Sequence, residues 1–574
     1  MGGSPKGRLG GALVRIGLLT EGGYPYVDGE ARLWCDRLVR GLGHHEFDIY
    51  ALSRSRSQED EGWVELPPQV RRVITAPLWT VEEEPRPLGR RARRRFKEYY
   101  GELAAAICAA GAPGEVLTAD ADVFADLSEA DRFGSALYGL AELAREEGSL
   151  AHALRSEAAV GALERACRAP GALRAARTAR VPELLAVAAQ MERTLRPLSL
   201  DWYMDDGLGS VDLCHATSAG PAVLPGLLAR HFRGVPLLVT EYGVQLRAHY
   251  LASATVSAPE RALLAAFHGR LAAETYRQAA VITPGNLHAR RWQERCGADR
   301  AKLRIVYPGL AEARFADLDG TADRADPHTL VWVGRVEPAK DLPSLLHALT
   351  QIRDAEPRAR LRVIGAPADG PEGARHLAHC EALAAQLFPD EAAVSFEELG
   401  GPEEPGLAEA YTAGAVVVLS SAVEGFPVSL VEAMFCGRPT VSTDVGAVTE
   451  VIGGTGLVVP AGDPGALAQA CVALLRDPER RARLGAAARE RALELFTVEQ
   501  NVAAFDAIYL DILAHSPVRQ GALDTVGGPR PFTVPAEAYV PGSWTTPPER
   551  PTRHAHVPSW AKSEPVAAGK GAAR

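Results

Sequence analysis

The sequence predicts an α/β chain of two doubly wound domains, each a parallel sheet covered by helices, with a helical insertion in the first. Short β-branched runs alternate with helical stretches over most of the chain, and many of those runs end in glycine, as strands do where a doubly wound sheet meets its ligand loops. At 574 residues the chain exceeds one ordinary domain, while 47% hydrophobic and 23% charged residues suit a core-forming globular protein.

Val14 to Thr20 reads as a first strand, ending in Glu21-Gly22-Gly23. Ala31, Trp34, Leu38 and Leu42 then form one helical stripe, and Asp48 to Leu52 reads as the next strand. From about Arg86 to Met204 the text turns rich in Ala, Leu, Glu and Arg, which predicts helices in place of continued alternation. Alternation resumes with VDLCHATS, PLLVTEYG, AVITPG and LRIVYPG. A second unit runs through TLVWVGR, LRVIGAP, AVSFEEL, AVVVLSS, PTVSTDVG and GLVVPAG. The expected divisions are a Rossmann-like domain over 14–310 with its insertion at about 86–204, a second over 311–495, a helix over 496–516 returning to the first domain, and a proline-rich, disordered tail over 517–574.

Acidic residues outnumber basic ones 72 to 62, a net charge of -10, so nothing favours nucleic acid, and any bound anion must be held locally. The eight cysteines are dispersed without a C-x-x-C pair and read as reduced, buried thiols. No segment approaches the roughly 20 apolar residues of a spanning helix, and the expected compartment is the cytoplasm.

Chemistry concentrates in the second unit. In Glu424-Gly425-Phe426-Pro427-Val428-Ser429-Leu430-Val431-Glu432, Pro427 suits the first turn of a helix. The amides of Val428, Ser429 and Leu430 would then be free at the helix start, an anion site suited to a diphosphate. Glu432, among apolar neighbours, needs donors: ribose hydroxyls would serve, as would a loop amide or a basic residue. Gly334-Arg335 and Lys340 share a loop leaving the strand TLVWVGR, with Asp341 capping the next helix, so both cations could clamp a diphosphate.

These two segments, with DVGAVTEVI and TGLVVPAGD, closely resemble the second domain of glycosyltransferase family four, the retaining enzymes of GT-B fold; Glu424 and Glu432 fulfil its E-x(7)-E pattern. GGYPYVDGEARLW, LLVTEYGVQLRAHYL and VITPGNLHARRWQERCGAD resemble the branch that contains the exopolysaccharide glycosyltransferase PelF. The resemblance implies a GT-B fold, a UDP- or GDP-sugar donor, a sugar or glycoconjugate acceptor, a membrane-associated polysaccharide-synthesis complex as partner, and no cofactor or metal. It assigns donor-phosphate contacts to Arg335 and Lys340, a ribose contact to Glu432, a donor-sugar contact to Glu424, and a place beside the cleft to Gly22 and Gly23. No protein nucleophile is implied, so the work is charge stabilisation and positioning.

The chain departs from the branch at Tyr242 of Thr240-Glu241-Tyr242-Gly243, where histidine is usual, at Glu30, where a second loop glycine is common, and at Tyr307-Pro308-Gly309, where Asn-Gly is frequent. Tyr242 is expected in the cleft. These departures motivate a rival reading, a catalytically impaired nucleotide-sugar-binding relative with a regulatory role. A glycoside hydrolase with Glu424 and Glu432 as its acid pair fits poorly, because eight helical residues span about 12 Å. His215, at a strand end, is open to an acceptor-side role or to being a satisfied loop histidine. His376, His379 and Cys380 could be bent into a metal site but have a spacing that is usually incidental on a solvent-facing helix; Arg90, Arg91, Arg93, Arg94 and Arg95 read as a solvated helix face, with contact to an anionic membrane or polymer as the alternative.

Overall fold

The computed structural model describes residues 14–27, 32–80, 87–109, 123–148, 150–253, 255–315, 325–389, 393–399 and 406–516. Glu30 and the tail over 517–574 lie outside the described residues.

Among the described residues twelve strands form two sheets of six. The first contains β1 (Arg15–Glu21), β2 (Glu46–Ser53), β3 (Val70–Pro77), β4 (Leu213–Ala216), β5 (Leu237–Glu241) and β6 (Val281–Pro284) in the order β3-β2-β1-β4-β5-β6. The second contains β7 (Asp326–Val333), β8 (Arg360–Ile364), β9 (Val394–Glu397), β10 (Gly414–Leu419), β11 (Thr440–Thr443) and β12 (Leu457–Val459) in the order β12-β11-β10-β7-β8-β9. Every strand pairing is parallel. The two orders are equivalent: each sheet grows outward from its first strand and then reverses, the doubly wound pattern of a Rossmann-like domain. The reversal falls between β1 and β4 in one sheet and between β7 and β10 in the other, and ligands bind outside the carboxyl ends of strands at such switch points.

Buried strands explain the continuous apolar runs: all six residues of β10 and all five of β5 are inaccessible. β3 was not among the expected strands. Its run VRRVITAP is half buried, Arg71 reaches Glu46 and Arg72 reaches Tyr50 and Asp48, so this edge strand carries charge where a central one could not. Conversely, LRIVYPG is not a strand; Leu303 makes one bridge to Ile282, and the segment continues as an extended linker.

Between β3 and β4 lie helices that include Arg90–Cys108, Val123–Glu147, Glu157–Arg168 and Val181–Leu195. Phe96, Tyr100, Phe133, Leu137, Leu184 and Met191 share one core with Leu227 and Phe267 of the first domain. Arg90, Arg91, Arg93 and Arg94 stay exposed, and Arg95 pairs with Glu146. The last helix, Val498–Ala514, sends Phe505, Ile508, Tyr509 and Ile512 into a core with Val14, Ile16, Trp34 and Leu38. None of the eight cysteines, all of them among the described residues, is in a disulfide; seven are buried and Cys436 is partly so.

Candidate functional site

At the second switch point the loop after β7 meets the loop after β10. Gly334 N donates to Ile364 O at 3.1 Å, and Gly365 lies so close behind that a Cβ there would come within 1.8 Å of Gly334 O. With φ at +155°, only glycine suits that place. The β7 loop then runs through a short 3-10 turn, Pro338–Lys340, to Asp341, whose carboxylate caps helix Leu342–Ala355 at Ser344 N. Ala422 N and Val423 N both donate to Ala339 O, at 2.9 and 3.1 Å, and Ser420 Oγ donates to Lys340 O at 2.8 Å. Backbone bonds therefore register the two loops against each other before any charge is considered.

Lys340 and Glu424 meet there. Lys340 Nζ forms an ion pair with Glu424 Oε1, and Ser421 Oγ donates to the same oxygen at 2.9 Å. Glu424 is 8% exposed, so its charge has little water and depends on these donors. Arg247, on helix Gln245–Ala252 of the first domain, donates from its guanidinium to Glu424 O at 2.7 Å. Arg335, at the start of the same loop, is exposed.

The helix Val428–Phe435 follows, with Pro427 as its cap residue. The expectation of three free amides is corrected: Val428 N donates to Phe426 O at 3.0 Å and Leu430 N to Pro427 O at 3.1 Å, leaving Ser429 as the one of the three without a backbone acceptor. Proline at the cap tightens the first turn, and the tightened turn consumes its own donors. Glu432 is half buried and accepts from Tyr411 Oη at 2.7 Å. Burial pushes its carboxyl up, opposed by Tyr411 and by Arg314 and Arg37 nearby. Glu424 and Glu432 thus face different partners, which removes the geometry of a shared acid pair.

At the first switch point, β1 ends in Glu21 and turns at Gly22, whose φ is +60°. Gly22 N donates to Leu52 O at 2.8 Å, and a Cβ at Gly22 would strike the Arg54 side chain at 2.4 Å. Gly23 closes the turn by accepting from Tyr26 N at 3.0 Å. Glu21 Oε1 accepts from Arg54 Nε at 3.1 Å. Burial pushes the Glu21 carboxyl up, against the pull of Arg54. After β4, Gly220 packs so that a Cβ there would lie 3.3 Å from Glu21 Oε2 and 3.8 Å from Gln245 Oε1. Helix Gln245–Ala252 therefore starts beside Glu21 and, two residues on, reaches Glu424.

In the first domain the structure decides between the two roles open to His215 and gives Tyr242 a structural partner. His215 does not face a cleft: it is fully buried, with Nδ1 2.7 Å from Tyr509 Oη and Nε2 2.7 Å from Thr240 Oγ1. Burial pushes its pKa down to about 3, so it is a neutral core residue. Tyr242 is wedged against Trp34, ring centroids 5.2 Å apart, and its hydroxyl accepts from Asn501 Nδ2 at 3.1 Å instead of facing a ligand freely. Asn501 also donates to Tyr307 O at 2.6 Å, so Tyr242 belongs to a joint between β5, the linker and the last helix. His376 Nε2 lies 3.7 Å from Cys380 Sγ, while the His376 and His379 rings are 6.5 Å apart, and no three ligands gather.

Sequence reasoning assigned no role to Glu21, Arg54, Ser421 or Arg247. Glu21 had a usable signal, a carboxylate as the last residue of a strand before a glycine loop. Arg247 had none, because its partner is 177 residues away.

Two doubly wound domains with polar and charged side chains collected at both switch points define a two-domain α/β protein of GT-B architecture. Residues 14–301 match the family model described as Domain of unknown function (DUF3492), and residues 327–477 match Glycosyl transferases group 1. The first match spans half of the chain, so the protein belongs to that family; the second match is confined to residues 327–477. It is similar to the D-inositol 3-phosphate glycosyltransferase of Kribbella flavida, 33% identical over 284 residues, covering 46% of this chain and 64% of that protein. The enzyme of the same name from Rhodococcus erythropolis is 32% identical over 277 residues, covering 46% and 61%. The chain thus spans less than two thirds of the length of either relative. In fold it is similar to sucrose-phosphate synthase from Thermosynechococcus elongatus, at TM-score 0.52 and 18% identity over 88% of this chain and 100% of that one. Anabaena Alr3699/HepE in complex with UDP gives 0.51 and 14% over 87% and 100%.

Proposed function

We propose that the protein transfers a hexosyl group, with retention, from a UDP- or GDP-sugar to a hydroxyl of a sugar or glycoconjugate acceptor. The observation that carries this reading is the Lys340–Glu424 pair at the second switch point, capped from the first domain by Arg247. Lys340 and Arg335 offer the positive charge that a departing diphosphate needs, and Ser429 N adds a donor at the helix start. Glu424 accepts from donor-sugar hydroxyls, and the free oxygen of Glu432 from the ribose. The bond between C1 and the diphosphate oxygen breaks, the acceptor oxygen bonds C1 on the same face, and its proton passes to the leaving phosphate. No cofactor takes part in these steps, and no metal is required.

Glu21, Ser218 and Gln245 gather their side-chain oxygens around Gly220 at the first switch point and would offer hydrogen bonds to acceptor hydroxyls. The names of the curated relatives support glycosyl transfer. The sequence resemblance to the PelF branch supports a role in polysaccharide synthesis, in the cytoplasm beside a membrane-associated complex; no helix among the described residues is long and apolar enough to cross a membrane.

A second reading, a binding relative without turnover, draws on Tyr242, whose hydroxyl is committed to Asn501. Mass spectrometry of nucleotide sugars retained by the purified protein, followed by turnover of each candidate over an acceptor panel, separates the two. Retained donor with transfer supports the enzyme; retained donor stable against every acceptor and against water supports the binding relative; no nucleotide sugar bound at all contradicts both.

A further inference from the structure

At the amino end of β2, opposite the strand ends that form the switch points, the turn between helix Arg32–Gly41 and β2 carries two consecutive histidines beside the last helix. His45 N donates to Leu42 O at 3.0 Å, closing the turn and aiming both rings the same way, with centroids 4.0 Å apart. Both Nε2 atoms converge on one oxygen, Asp506 Oδ1, at 3.0 Å from His44 and 2.8 Å from His45. We infer that His44, His45 and Asp506 form a structural site for a divalent first-row transition ion, best fitted to Zn2+, that fastens the last helix to the first domain.

The chemistry of the set supports it. Two imidazoles and one carboxylate are the borderline nitrogen and hard oxygen donors that Zn2+ takes, and three protein ligands leave a position for water. Tetrahedral ligand atoms about 2.0–2.1 Å from zinc lie roughly 3.3 Å from one another. The contacts to Asp506 therefore need to open by only a few tenths of an ångström to admit the ion. Among the described residues this is the one group of three whose ligand atoms lie within 4.8 Å of one another. Burial is graded: the His45 side chain is wholly inaccessible, Asp506 is 32% exposed and His44 49% exposed, so the ion has one dry side and one open to a water ligand.

Nδ1 of His45 is buried with no partner, so this histidine lacks the outer hydrogen bond that tight zinc sites provide. Missing outer partners weaken metal sites by about 10- to 100-fold. The expected affinity is therefore micromolar, below that of a classical zinc finger. The consequence is mechanical. The site would cross-link residues 461 apart in sequence, on the helix that carries Asn501 to Tyr242 and Tyr307 and Tyr509 to His215. An ion there stabilises the joint between the domains, and the inference stands independently of the proposed activity.

The test is calorimetric titration of the chelator-treated full chain with ZnCl2, paired with melting temperature and with the visible spectrum of the Co2+ form. One ion per chain, a raised melting temperature and a cobalt spectrum of low coordination number are expected. His44→Ala, at an exposed position, and Asp506→Asn should each weaken binding at least about tenfold and remove the thermal shift. His376→Ala should leave both unchanged. If Asp506→Asn does not fold, His44→Ala decides. Absence of saturable binding, or binding of equal strength in His44→Ala, overturns the inference.

Discussion

Two carboxylates at the carboxyl ends of strands, Glu241 on β5 of the first sheet and Glu424 after β10 of the second, are treated oppositely. Glu241 ends β5 and is 1% exposed; Gln245 N donates to its Oε1 at 2.9 Å, and the Tyr276 hydroxyl holds the other oxygen. Glu424, just past β10, is 8% exposed and is answered by Lys340 and Ser421. Every partner of Glu241 is neutral and burial dominates, pushing its carboxyl up. At Glu241 the first domain thus uses a strand-end carboxylate to hold its own fold, whereas at Glu424 the second leaves a cation and an anion on opposed loops, each able to exchange its partner for a ligand. A doubly wound sheet offers the same sites twice, and side-chain chemistry decides which becomes a binding site.

If that contrast is right, the largest effect should come from Lys340. Lys340→Ala removes charge from the leaving group, and donor turnover should fall by about 10²–10³, the range for losing one preorganised donor. Turnover within a few-fold of wild type would break the comparison. Glu424→Gln sharpens it: turnover should drop strongly while affinity for free UDP holds or rises, because Lys340 loses its resident counter-ion. Equal losses of UDP affinity and turnover would mean that Glu424 merely holds the loop.

The first domain should respond in stability. His215 is neutral when folded, and its pKa moves from 6.5 down to about 3. A depressed folded value means stability that is complete above pH 6.5 and lost as pH falls toward 3, on the order of 1 kcal/mol per unit. His215→Asn should start less stable at neutral pH yet lose less between pH 7 and 5.5, as read by urea midpoints. A variant slope equal to that of wild type would show that other groups, such as His268, dominate. The smallest effect is expected for Tyr242→Phe. One hydrogen bond, worth about 1 kcal/mol, is lost to Asn501, and turnover should stay within a few-fold. A large change in turnover would return Tyr242 to the active site.

Much of this was legible in the sequence. Eleven of the twelve strands coincide with apolar runs, and the positions of Arg335 and Lys340 after β7 and of Glu424 and Glu432 after β10 were readable because they lie on short segments adjoining strands. β3 was not, since Arg71 and Arg72 interrupt its pattern and are tolerated only at a sheet edge. His215 was placed at the correct strand end, but which face it takes depends on Thr240 and on Tyr509, 294 residues away. The amides at Pro427 illustrate a subtler limit: proline announces a helix start without revealing that the first turn will bond to itself.

The central claim is that the second switch point is the anion site and that the first is not. Calorimetric titration of UDP and GDP into wild type, the Arg335→Ala/Lys340→Ala double variant and Arg54→Ala tests it directly. Losing charge-assisted contacts worth about 1.5–3 kcal/mol should weaken at least one diphosphate more than tenfold in the folded double variant, with Arg54→Ala close to wild type. Unchanged affinity in the double variant, or an equal loss in Arg54→Ala, would contradict the account.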